Sequence, residues 1–520
     1  MTTLMERVLG RVLAALPLAG PLTVLGTDGR RLTAGPRDGP PVRVRLRDPS
    51  AARRLLLDPD LAFGELYVEG GLVLEEGTLP DLMRVLLARS RGEVPLPSAT
   101  AMALLRRLGR RLGRRNTPRR ARRNVAHHYA LDERLYGLFL DPTWQYSCAY
   151  FTAEEDDLAA AQRAKMRHIA AKLLAGPGQR VLDIGCGWGG LALYLAGVAG
   201  CAEVRGITLA EGQLARARAQ AQARGLSARA HFALEDFRRA SGSFDRIVSV
   251  GMFEHVGPAD YPGFFRLVRE RLAPDGVMLL HTIGRTGAPY PTNAWITRYI
   301  FPGGHLPTLS QITPAIERSG LIVTDVEVLR LHYARTLAAW RARFAARREA
   351  ARALYDERFC RMWDWYLAAS EAAFRYEDLV VFQIQLARRN DVVPLTRDYV
   401  AREEARLRAR EERRGRGALP SRPGQHVAER QREQHPRPQE PGQGGEAHEA
   451  ARLPQFHVED QHQERLRGRD GEADRRRRRP ELPEGRRAGQ RQEAEQGRPD
   501  REVAQPEGAD RRAHPDRPGR

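Results

Sequence analysis

The chain has 520 residues, with 85 Lys plus Arg against 65 Asp plus Glu, a formal net charge of +20 and four cysteines. The length allows two to four domains. The cysteines form no C-x-x-C pair, which speaks against a zinc site or a disulfide framework, and no apolar run reaches the roughly 18 residues that span a bilayer.

Scattered thiols fit a reducing cytoplasm. Lys165 and Lys172 are the only lysines, so the basicity is arginine, and it raises nucleic acid and anionic membrane as partners.

Residues 1–98 mix helix and strand and are expected to form a smaller α+β N-terminal domain that contacts lipid. The apolar stretch 11–25 is broken by Pro17 and Pro21 and reads as structure rather than as a signal peptide. Residues 42–47 alternate with period two, as a half-buried strand would, and 80–89 reads as a helix. In 99–125, Leu104, Leu105, Leu108 and Leu112 recur at helical spacing with arginines between them. Such a basic amphipathic helix suits an anionic lipid surface, and equally a solvated linker.

Residues 126–400 alternate strands with helices. Strands are expected at 180–184, 203–207, 230–232, 244–250, 277–281, 321–329 and 380–386. Helices are expected at 211–224 and 261–272, and a Trp-rich helical stretch at 337–374. This order predicts an α/β fold with a parallel, doubly wound, Rossmann-like sheet. Residues 401–520 leave globular composition: no Ile, Tyr, Trp, Met, Cys or Lys follows Val400. Too little apolar surface remains to offset ordering entropy, so a disordered C-terminal tail is expected. GC-rich DNA read out of frame would look the same, and the tail is assigned no function.

The most informative stretch is Val181-Leu182-Asp183-Ile184-Gly185-Cys186-Gly187-Trp188-Gly189-Gly190. An apolar strand stops at alternating glycines, and a helix-compatible run follows. An open α/β sheet builds a nucleotide-binding crevice in this way. The acid precedes the glycines, whereas a dinucleotide site places its ribose carboxylate roughly 20 residues later. No Lys-Ser/Thr follows, so this is not a phosphate-gripping P-loop. An acid before G-x-G-x-G resembles the first motif of S-adenosylmethionine-dependent methyltransferases; by itself it also fits an ordinary sheet turn.

Further stretches narrow the choice. They are His127-His128-Tyr129, Tyr146-Ser147-Cys148-Ala149-Tyr150-Phe151, Gly206-Ile207-Thr208-Leu209 with Gln213, Gly251-Met252-Phe253-Glu254-His255-Val256-Gly257, Leu280-His281-Thr282-Ile283-Gly284, Tyr299-Ile300-Phe301-Pro302-Gly303-Gly304 and His332-Tyr333-Ala334-Arg335. Together they resemble the cyclopropane-fatty-acyl-phospholipid synthases and the related mycolic acid cyclopropane synthases. The likeness is strong over 125–400 and weak over 50–90.

The resemblance implies a methyl transfer from S-adenosylmethionine to a cis double bond. Loss of a proton from the new methyl then closes a three-membered ring. It also implies bicarbonate as the base, held by Cys148, Glu254, His281, Ile283 and Tyr333, with Ile283 and Cys148 contributing backbone. For S-adenosylmethionine it implies Tyr146, Ser147, Asp183, Gly185, Gly187, Trp188, Gly189, Thr208, Gln213, Leu234 and Glu235, and no metal. His255 matches no bicarbonate ligand. Ser370 stands where some members have a cysteine. The segment Ala130-Leu131-Asp132-Glu133 departs from the family's usual Asp and Asn, which points to a looser lid.

The function so implied forms cyclopropane fatty acyl chains on membrane phospholipid. The enzyme would be cytoplasmic, peripheral on an anionic membrane surface, and without nucleic acid; a homodimer stays open. A methylene- or methyl-branched product is the near alternative. An RNA methyltransferase or nucleic-acid-binding protein is the distant one, and the Arg-rich stretches lack the interleaved aromatics it would need.

Overall fold

The computed structural model describes residues 2–89 and 131–417. The basic segment 99–125, His127-His128-Tyr129 and the tail from 418 lie outside the described residues.

The expected strands form one seven-stranded sheet. β5 (Arg180–Ile184) lies between β8 (Phe244–Val250) and β6 (Glu203–Thr208), and β7 (Ala230–Leu234) forms one edge. β9 (Leu272–Arg285) flanks β8, and these five strands run parallel. The side chains of each strand alternate between faces. Val181, Val204, Val248 and Leu279 therefore join one apolar cluster, and Leu182, Ile207, Ile247 and Leu280 join another. Helices Leu158–Lys172 and Glu211–Ala223 cover the first face, and Tyr261–Arg271 and Leu309–Ser319 the second. The sheet is thus doubly wound.

It is not wholly parallel. β11 (Leu379–Ala387) is inserted antiparallel between β9 and β10 (Ile322–Leu329). An apolar run buried on both faces carries no mark of direction. β9 also begins five residues before the expected 277. The stretch 337–374 divides among helices His332–Ala346, Arg348–Leu354 and Glu357–Tyr376.

The N-terminal domain is a four-stranded sheet in the order β2 (Arg31–Ala34), β1 (Leu22–Leu25), β3 (Val42–Leu46), β4 (Leu72–Glu76). Val42, Val44 and Leu46 point into its core, as period two requires. Helix Pro59–Glu69 docks on the Trp-rich helices. A Cβ on Gly64 would lie 2.6 Å from both Trp295 and Trp365, so only glycine permits this approach.

Order continues past the boundary that composition set at 400. Helix Tyr399–Gly417 packs along Leu158–Lys172. It buries Leu407 completely and is held by ion pairs: Arg167 makes a two-pronged contact with Glu411, at 3.1 and 2.9 Å, and His168 Nδ1 lies 2.7 Å from Glu404. Charge pairing supplies what the apolar count lacks.

Candidate active site

The glycine loop leaves β5 with Gly185, Gly187 and Gly189 all at positive φ, of 80°, 54° and 85°. Gly185 and Cys186 donate their N–H groups to Ile207 O at 2.9 and 3.0 Å, which ties the loop to β6. The glycines serve different ends. A Cβ on Gly185 would come within 2.7 Å of Met252 Cβ, whereas one on Gly187 would meet nothing within 4 Å. Gly187 therefore leaves its space open to a ligand.

That space is a cleft of about 1170 Å³, mouth included. Its walls include Tyr146, Ser147, Asp183, Gly185, Gly187, Trp188, Thr208, Gln213 and Glu235. Two expected residues are not part of the wall. Gly189 sits behind the loop, where a Cβ would meet Ala217 and Phe232 at 2.9 Å, and Leu234 faces solvent. The Glu235 carboxylate is paired with Arg205. Its neighbour Asp236 is paired as well, through Oδ1 with Arg238 Nε at 2.9 Å. It is 3% exposed, it lines the cleft, and its Oδ2 has no hydrogen-bond partner among the described residues. Thr208 Oγ1 donates to Gln213 Oε1 at 2.9 Å, so these two act as a pair. His255 also lines the cleft, and burial pushes its pKa down to about 4.

Asp183 is buried at the end of β5. Burial pushes its carboxyl up to about 7, against the pull of the Lys165 ammonium. Lys165 donates to Gln145 Oε1 at 2.6 Å and to Ser147 Oγ at 2.8 Å. Trp188 donates from Nε1 to Glu133 Oε1 at 3.1 Å, and Arg216 also pairs with Glu133. Where the departure at 130–133 had pointed to a looser lid, Glu133 of helix Glu133–Phe139 is thus tied to the glycine loop through Trp188.

Three of the second group of expected residues, Glu254, His281 and Ile283, lie around the end of β8, whose last residue Val250 pairs with His281 within β9. Glu254 follows β8 in a short turn and is 8% exposed. Its Oε1 accepts the Ile283 N–H at 2.7 Å, while Oε2 is buried with no hydrogen-bond partner among the described residues. Burial pushes the carboxyl up to about 7. The Ile283 N–H is thereby spent on orienting Glu254. His281 is 2% exposed, and burial holds it well below its ordinary pKa, so the ring is neutral. Gln383 Nε2 on β11 lies 3.2 Å from His281 Nδ1.

Cys148 is wholly buried and its thiol is pushed up by burial, which removes it as a nucleophile. The neighbouring Ala149 N–H donates to Thr336 Oγ1 at 3.0 Å, on the helix that carries Tyr333. Tyr333 packs against Phe374 and Trp340, at ring-centroid distances of 4.8 and 5.9 Å. Tyr146, Phe139, Trp363 and Tyr366 continue this aromatic wall, and the Tyr146 and Tyr366 hydroxyls lie 2.8 Å apart. Ser370, one turn beyond Tyr366, lies on helix Glu357–Tyr376.

Sequence reasoning missed Lys165 and Gln383, placed Asp236 one residue outside the chosen register, and read Glu133 only as part of a departing segment. Of the two missed, Lys165 alone carried a signal, the near absence of lysine elsewhere. Gln383 lies in an apolar strand and is distant from His281 along the chain.

The family description "Mycolic acid cyclopropane synthetase" matches residues 116–384. The cyclopropane-fatty-acyl-phospholipid synthase of Escherichia coli (strain K12) is 38% identical over 348 residues, covering 67% of this chain and 88% of that protein. The tuberculostearic acid methyltransferase UfaA1 of Mycobacterium tuberculosis is 37% identical over 383 residues, covering 71% and 88%. The solved cyclopropane synthase MmaA2 from Mycobacterium tuberculosis is 33% identical, covering 51% of this chain and 98% of that one at a TM-score of 0.49. The chain belongs to the mycolic acid cyclopropane synthetase family and is an S-adenosylmethionine-dependent methyltransferase of the cyclopropane-fatty-acyl-phospholipid synthase type.

Proposed function

We propose that the enzyme converts cis double bonds in phospholipid acyl chains into cyclopropane rings. One observation carries this reading. A buried carboxyl, Glu254, has one oxygen fixed by Ile283 and the other unpartnered, close to a cleft built for a methyl donor.

The orphaned Glu254 Oε2 and the neutral His281 fit a small oxyacid anion that is itself protonated. Bicarbonate, when bound there, supplies the base that accepts the proton lost on ring closure. Glu254 would accept the hydrogen bond of its hydroxyl, and His281 and Tyr333 would donate to its other oxygens. In the cleft, Asp183 and Asp236 offer acceptors to the amine and hydroxyl groups of S-adenosylmethionine. The Thr208–Gln213 pair offers a further polar contact. An alkene is a weak nucleophile, so transfer requires alignment and exclusion of water. The wall of Tyr146, Trp340, Tyr333 and Phe374 is apolar, and its ring faces favour positive charge developing on the acyl chain.

No helix among the described residues is long and apolar enough to cross a membrane. The substrate is then met at the membrane surface. We assign that contact to the basic segment 99–125 with the N-terminal domain, and the chemistry to 126–400.

The deciding test is expression in a bacterium lacking its own enzyme, followed by lipid mass spectrometry. A gain of one methylene per acyl chain is expected, with upfield cyclopropane protons by NMR. The 37% identity to a tuberculostearic acid methyltransferase favours a branched product as the second reading. A methylene gain without cyclopropane protons would select it, and no gain would overturn both.

A further inference from the structure

Of the 85 basic residues, 83 are arginine (85 less the lysines at 165 and 172), yet both lysines are fully buried. Coding bias accounts for arginine on the surface, where either cation serves. It does not account for lysine kept only in the interior. A buried lysine marks a place that takes a compact ammonium with three donors and not a planar guanidinium.

The two lysines differ. Lys172 is matched by the carboxylates of Asp325 and Glu327. Lys165 makes no ion pair among the described residues, and its Nζ donates to two neutral acceptors, Gln145 Oε1 and Ser147 Oγ. Gln162, one turn earlier on the same helix, donates to Ser147 O at 3.0 Å. One helix face thus grips the loop 145–148 by side chain and by backbone. That loop brings Tyr146 and Ser147 to the donor cleft and Cys148 to the Tyr333 side. The acidic groups that face Lys165 are Asp141, Cys148 and Asp183, and Lys165 also acts on His281. Asp183 in turn faces Lys165 and Cys186.

We propose that Lys165 is a positioning residue of the donor site, which holds the 145–148 loop and supplies the counter-charge of the Asp183 carboxylate. This rests on the cleft being the S-adenosylmethionine site. Burial alone drives Asp183 toward its neutral form, and the Lys165 ammonium opposes that. Without the ammonium the carboxyl would be protonated over more of the neutral range and would accept less from a ligand. The same positive charge discourages protonation of His281.

The test measures S-adenosylhomocysteine affinity by calorimetry on the full chain, at about pH 6 and about pH 7.5, either side of the Asp183 titration and below that of Lys165, which burial lowers to about 8. Lys165→Met is expected to lose about tenfold at the higher pH, the scale of a lost charged hydrogen bond, and clearly more at the lower pH. Ser147→Ala, which keeps the ammonium, is expected to lose affinity equally at both. If Lys165→Met does not fold, Lys165→Gln keeps a donor without the charge and should show the same widened pH dependence. An equal loss at both pH values in the Lys165 variants overturns the counter-charge role. Wild-type affinity in Lys165→Met or Lys165→Gln and in Ser147→Ala overturns the loop-holding role. A wild-type protein that does not bind the ligand overturns instead the assignment of the cleft.

Discussion

Gln383 Nε2 on the antiparallel strand β11 lies 3.2 Å from Nδ1 of His281 on β9. In this orientation the amide nitrogen donates to Nδ1, which assigns the ring proton to Nε2; a flipped amide would reverse both roles. His281 thus donates from its other edge. Gln383→Leu would leave a buried acceptor unsatisfied and free the tautomer. We expect kcat to fall about tenfold, with S-adenosylhomocysteine affinity within twofold of wild type. Equal kcat values in steady-state assays would count against the tautomer argument.

Glu254→Gln tests the acid site. Turnover should be lost while the donor still binds, because Glu254 lies beyond the wall of the cleft. Unchanged turnover would refute the bicarbonate assignment.

The same residue sets a pH dependence of stability. Burial raises the folded pKa of Glu254 from 4.5 to about 7. Between these values the folded state holds the proton more tightly than the unfolded one. Stability therefore declines as pH rises from about 4.5 to about 7. Glu254→Gln, neutral throughout, should escape that decline and exceed wild-type stability at about pH 8 by on the order of 1–3 kcal/mol, seen as a higher unfolding temperature. Scanning calorimetry across this range reads the crossover.

Two glycines of one loop should fail differently. Gly185→Ala meets both a left-handed backbone and Met252 Cβ at 2.7 Å. It should destabilise the fold by on the order of 2–4 kcal/mol. Gly187→Ala meets only the backbone preference and open space. It should cost about 1–2 kcal/mol of stability and show its larger effect on donor affinity. Denaturant melts alongside binding isotherms separate the two.

Truncation should distinguish composition from structure. Ending the chain after Gly417 should leave Tm and turnover unchanged. Ending it after Asp398 removes Leu407 and Glu411, which strips a core residue and leaves Arg167 unpaired. We expect a loss of about 3 kcal/mol or more, visible as a lower Tm.

Much of this was legible in the chain. Strand and helix periodicity located every strand of the large sheet, because a doubly covered sheet needs apolar runs of strand length between helices. The glycine loop was legible because backbone approach to a ligand leaves no other residue type. The residues at 148, 254, 281 and 333 were reached through the family resemblance, and three of the four look ordinary in isolation: a histidine in a strand, a tyrosine in a helix, a buried cysteine.

What the sequence by itself determined is what local chemistry dictates: the alternation of elements, the turn that opens the cleft and the acid before it. Only the tertiary structure decided the direction of β11, the order of helix Tyr399–Gly417, the swap of Leu234 for Asp236 in the cleft wall, and the partners Gln383 and Lys165. Each of these depends on a contact between segments far apart along the chain. Burial there fixes the orientation of a commonplace glutamine, lysine or glutamate and moves the proton equilibrium of the latter two. Neither periodicity nor composition carries that information, because both are blind to which surfaces meet.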